Sequence, residues 1–180
     1  MLLIGLLCLV GEGYGQSRRT YTRFTVGGML GLAATDTQQP MHGYQLQLAF
    51  GRNVYDDIQF GLGIGFDEYR ARSTMPDGRR LTRRVNTLPI VAEVHVGGAE
   101  LRRGRIGLMA QAGYAPGLGN DYYRGFTGQA GATYTHTLTG DDGLSLRFGL
   151  GYGFQQFDSS FIANRFSQHS LRLAVGFVIH

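Results

Sequence analysis

The sequence predicts an all-β fold, an eight-stranded antiparallel up-and-down transmembrane β-barrel, on three observations. Apolar residues recur at every second position in eight segments of about ten or more residues, the period of a strand with one apolar face. The alternate positions in several segments are glycine, alanine and glutamine. These suit the crowded interior of a narrow barrel better than a surface in water. The connections alternate between compact and long, as in barrels whose short turns lie at one end and long loops at the other.

The first segment, Thr22 to Thr35, carries Phe24, Val26, Leu30 and Leu32 on one face and stops at "TDTQQP". The second, Met41 to Arg52, carries Tyr44, Leu46, Leu48 and Phe50; the third carries Ile58, Phe60, Leu62, Ile64 and Phe66. A polar stretch, "YRARSTMPDGRRLTRR", leads to the fourth, Val85 to Val96, with Leu88, Ile90, Ala92, Val94 and Val96. Ile106, Leu108, Ala110, Ala112 and Tyr114 mark the fifth, and Ala130, Ala132, Tyr134 and Leu138 the weaker sixth. The seventh runs through Leu144, Leu146, Phe148, Leu150, Tyr152 and Phe154, and the eighth through Leu171, Leu173, Val175, Phe177 and Ile179. "RNVYDD", "GGAELRRG" and "TGDDG" are compact connections, whereas "ARSTMPDGRRLTRR", "PGLGNDYYRGF" and "DSSFIANRF" read as longer outer loops.

The segment "FGLGIGF", Phe60 to Phe66, shows why the second face decides the environment. Glycine in a strand normally weakens it, yet here it takes every second position, and "LRFGLGYGF" repeats the pattern. If these glycines face a narrow lumen, Phe60, Leu62, Ile64 and Phe66 face lipid, and closure of the sheet satisfies the backbone groups that hydrocarbon cannot. A soluble ligand-binding barrel with its apolar face inward is the alternative that alternation alone leaves open.

The 180 residues suit one barrel domain over 16–180, preceded by a signal peptide over 1–15. "MLLIGLLCLVGEGYGQS" has the short apolar run and small residues of a secretory signal and is too short to span a bilayer. The single cysteine, Cys8, falls in that segment, so the mature chain is expected to have no disulfide or thiol chemistry. A mean hydropathy of −0.12 and the lack of a later run of about 18 apolar residues exclude a multi-span helical protein. The formal charge is +4, and all 17 basic residues are arginine.

"NTLPIVAEVHV", "GLMAQAGYAPG", "GFTGQAGATYTHTL" and "SLRLAVGFVIH" resemble strands of small outer-membrane β-barrel proteins of the PorT-like, porin-like kind. The resemblance implies that fold, a bacterial outer-membrane location, and outer-membrane lipids and the insertion machinery as partners. It implies no chemistry.

The residues themselves argue against chemistry. "GLGIG" and "GLGYG" lack the spacing, the helix and the lysine of a phosphate loop. No His-x-Ser pair occurs, and the adjacent His169 and Ser170 point to opposite faces of a strand, so that pair does not give a serine nucleophile its base. No catalytic residue, metal, cofactor or nucleic-acid partner is expected; a lipid-modifying enzyme of the outer membrane is the rival reading.

Charges on the small-residue face carry more. Glu93, His95, Arg147, Arg172 and Arg23 are expected to form an ion-pair network plugging the lumen, with Glu93 paired to Arg147; ionisable groups at membrane depth are costly unless paired or hydrated. Arg70, Arg72, Arg79, Arg80, Arg83 and Arg84, around the "MPDG" tip, are candidates for an anionic surface, including lipopolysaccharide phosphates, because arginine binds phosphate bidentately.

Overall fold

In a computed structural model the described residues are 20–35, 39–55, 57–74, 80–117, 123–138, 143–159 and 162–180. The signal segment, Cys8 and Arg79 lie outside them. The strands are β1 (Thr20–Ala34), β2 (His42–Tyr55), β3 (Ile58–Thr74), β4 (Arg80–Thr87), β5 (Ile90–Leu101), β6 (Gly104–Ala115), β7 (Gly125–Thr137), β8 (Leu144–Ser159) and β9 (Ile162–Ile179).

Every pairing is antiparallel, β1 pairs with both β2 and β9, and the β2–β3 pairing closes the sheet into a barrel. The nine strands make eight staves, because β4 and β5 both pair with β3 and form one stave interrupted at Leu88 and Pro89. Proline has no N–H to give a ladder. Its carbonyl stays in register, accepting from the Gly65 amide at 2.8 Å. Val85, Thr87, Pro89 and Val91 are all buried, so the break leaves the in/out alternation unchanged.

The alternation is as the sequence predicts. Phe60, Leu62 and Ile64 are each more than half exposed, as are Leu108, Leu173 and Ile179, while Gln45, Gln47, Gln111 and Gln129 are buried inside. The exposed apolar belt has aromatic residues at both edges. Tyr44, Phe66, Tyr114, Phe126, Tyr152 and Phe154 stand toward the long-loop end, and Phe24, Phe50, Phe60, Tyr134, Phe148 and Phe177 toward the short-turn end. An apolar exterior over a polar interior reverses the soluble-barrel alternative, whose apolar face would point inward.

Two expected outer loops are strand. β3 continues to Thr74 and meets β4 from Arg80, placing Arg72, Arg80 and Arg83 in a paired hairpin; β8 and β9 enclose most of "DSSFIANRF" in another. These extensions carry polar residues, which hid them from a search for apolar alternation. Apolar side chains on the inner face tie them together instead. Met29, Met41, Tyr69, Val85, Phe157 and Phe166 form a buried cluster inside the long-loop end, with Tyr69 edge-on to Phe157 at 5.0 Å and Phe157 stacked on Phe166 at 4.7 Å.

Candidate functional site

Below the apolar cluster the interior is polar and arranged in layers. Arg172, 1 % exposed, is the centre of the upper one. It donates to Gln45 Oε1 and to the Tyr69 hydroxyl, each at 3.1 Å, and lies 3.8 Å from Asp67 Oδ2. Gln47 donates to Gln111 at 3.0 Å and Gln111 to Gln129 at 3.2 Å, and Gln129 accepts from Arg172 at 3.4 Å. Two internal voids among these residues measure ≈ 20 and ≈ 10 Å³, room for about one water each.

The next layer holds Glu93, and its partner is Arg23, not Arg147. Arg23 Nη2 bonds Glu93 Oε2 in a buried ion pair, and the Tyr21 hydroxyl donates to Glu93 Oε1 at 2.9 Å. The register explains the choice. Tyr21 is opposite Gly51, Gly51 opposite Gly61, and Gly61 opposite Glu93, so only two glycines separate Tyr21 from Glu93 along one row of the wall. Arg23, two residues further along β1, shares that side of the barrel. Arg147, on β8, instead donates to Thr135 Oγ1 at 3.0 Å and Gln59 Oε1 at 2.9 Å. His95 Nε2 meets Thr133 Oγ1 at 2.7 Å.

All five expected interior residues, Arg23, Glu93, His95, Arg147 and Arg172, are therefore buried on the inner face, but they form separate groups. Sequence reading did not match Arg172 to Asp67, and missed Tyr21, Tyr69 and the glutamine chain. Each is a same-face residue by parity alone, and the missing signal was the register between distant strands.

At the short-turn end, below Arg147 and His95, lies a cavity of ≈ 810 Å³ lined also by Gln59, Arg105, Thr135 and Ser145. Arg105 there pairs with Asp57 and Glu100 at 2.5 and 2.6 Å. At the opposite rim, Arg70 pairs with Glu68 and sits 5.7 Å over the Tyr44 ring, and the Tyr44 hydroxyl donates to Glu68 at 2.8 Å. Arg84 lies opposite Arg70 and is exposed. Arg70 is thus tied down in an outward-facing cluster.

No protein-family model and no curated protein matches the chain. Solved structures do. Neisserial surface protein A is 12% identical over 89% of this chain and 96% of its own, with a TM-score of 0.59. The outer membrane protein OprG from Pseudomonas aeruginosa is 10% identical over 93% of this chain and 98% of its own, with a TM-score of 0.55. The shared feature is the closed eight-stranded antiparallel barrel; a PorT-like family label has no match behind it.

Proposed function

We propose that the chain is an integral outer-membrane barrel with a filled, non-conducting lumen and a structural or surface-interaction role. The observation that carries this reading is the interior: an apolar cluster over an Arg172–Asp67–glutamine layer over the Arg23–Glu93–Tyr21 layer, with voids of only ≈ 20 and ≈ 10 Å³ between the polar groups. The exposed apolar belt with its aromatic edges supports a bilayer location. The likeness to Neisserial surface protein A and OprG favours the outer membrane. In that setting the short turns face the periplasm and the extended hairpins the exterior.

A non-enzymatic role is supported by the histidine contacts. His42, His95, His136 and His169 hydrogen-bond the Gly31 amide, Thr133, Tyr134 and Tyr152, and none meets a serine among the described residues. On this reading the exposed rim arginine Arg84 would contact lipopolysaccharide phosphates, and Arg70 would contribute less because Glu68 holds it.

The test is conductance. Refolded protein in a planar bilayer, shown to be folded by heat-modifiable migration and found in the outer-membrane fraction of cells, is expected to give no discrete current steps. Reproducible steps would overturn the filled lumen, and recovery in the soluble periplasmic fraction would overturn the location.

A further inference from the structure

We propose that the cavity at the short-turn end binds a small oxyanion, a carboxylate or phosphate group, with Arg147 as its principal ligand and Arg105 beside it. Arg147 is 6 % exposed, and its partners among the described residues are neutral: Nε bonds Thr135 and Nη2 bonds Gln59, leaving Nη1 bonded to no described residue. Among the described residues no carboxylate pairs with Arg147, because the neighbouring Glu93 is taken by Arg23 and Tyr21. A guanidinium withdrawn from water without a counter-charge is costly. Its planar fork matches an oxyanion bidentately.

The register supplies the rest of the cradle. Arg105 stands opposite Thr135, and Thr135 opposite Arg147, so the two arginines share one row two strands apart, about 10 Å between backbones. Ser145, two residues from Arg147 on the same face, is buried and stands opposite Thr137. Hydroxyls and guanidinium groups thus converge on one side of the ≈ 810 Å³ space. Asp57 and Glu100, on the rim with Arg105, moderate the positive field there, whereas the deeper Arg147 keeps its charge unmatched. The site concerns the mouth alone and would stand even if the barrel conducted. In the proposed orientation it opens to the periplasm.

The experiment uses the full chain refolded in detergent micelles at fixed ionic strength, titrated separately with inorganic phosphate and with acetate. Binding is read from chemical-shift changes at the Arg147 side chain and the Thr135 and Ser145 amides. A saturable response to phosphate only assigns a phosphate ligand, to acetate only a carboxylate; a response to both supports the shared chemistry. Arg147→Gln is expected to weaken binding at least about tenfold, while Arg52→Gln, an exposed outward arginine on β2, leaves it unchanged. If Arg147→Gln fails to refold, Arg147→Lys keeps the charge without the fork and is expected to weaken binding partially. No saturable response from either anion at tens of millimolar, or equal binding with Arg147 replaced, overturns the proposal. An equal loss with Arg52→Gln reduces it to general electrostatic attraction and overturns it as well.

Discussion

Tyr21 lies along a trough that Gly51 and Gly61 leave in the wall, its ring over the first and its hydroxyl over the second, and so reaches Glu93. Long polar side chains lie flat over glycines of the adjacent strand elsewhere too. A Cβ on Gly63 would come within 2.8 Å of Gln47, one on Gly107 within 2.8 Å of His95, and one on Gly153 would collide with Arg172. The alternating glycines are therefore beds for particular side chains. Gly61→Ala is expected to destabilise the barrel by about 1–3 kcal/mol through overpacking, and by less in a Tyr21→Ala background; urea titrations of the four proteins check it, and equal penalties in both backgrounds count against the trough. The buried pair sets a second expectation. Glu93→Gln should cost about 3–5 kcal/mol where the site is dry, because it strands Arg23. A double-mutant cycle should then give Glu93–Arg23 a coupling of about 0.5–3 kcal/mol and Glu93–Arg147 close to none.

At the scale of a strand, phase governs tolerance. Leu62 and Gly63 are neighbours on β3, one more than half exposed and the other buried against Gln47 and Val91. Leu62→Arg is expected to cost roughly 2–4 kcal/mol in a bilayer near the midplane but little in detergent, where the head group can reach water. Gly63→Leu should be damaging in both media, since its obstacle is inside. Unfolding titrations in lipid vesicles and in micelles separate the two, and equal behaviour would put the assigned phase in error. The fourth stave shows how an element's identity outlasts a local break. Alternation from Val85 to Val96 reads as one strand in the sequence, and it is one stave in the barrel even though Pro89 divides it, because the odd-numbered residues stay inside throughout.

For the whole molecule, a lumen filled as we propose would be redundant as a barrier: removing one layer would leave another beneath it. Phe157→Ala in the apolar cluster, where Phe157 touches Tyr69, Tyr123 and Phe166, is expected to lower stability by about 3–5 kcal/mol. It should remain silent in planar bilayers, since the Arg172 and Glu93 layers persist. Current steps from this single variant would show that the apolar cluster alone seals the lumen.

The sequence by itself determined the sheet class, the stave count and which residue of each strand faces in, because a period of two depends only on local spacing. Glycine and glutamine opposite Phe60, Leu62 and Ile64 further settled which face is outside. It also identified Arg23, Glu93, His95, Arg147 and Arg172 as interior. The tertiary structure alone decided who pairs with whom: Arg23 with Glu93, Arg172 with Asp67, and Arg147 with neutral oxygens above a cavity. It also revealed that Tyr69, Phe157 and Phe166 form an apolar cluster at the long-loop end, beyond the apolar alternation read in the sequence. The physical reason is common to both. Partners across a barrel are fixed by the relative height of strands far apart in the chain, a property of closure and register that no single segment encodes.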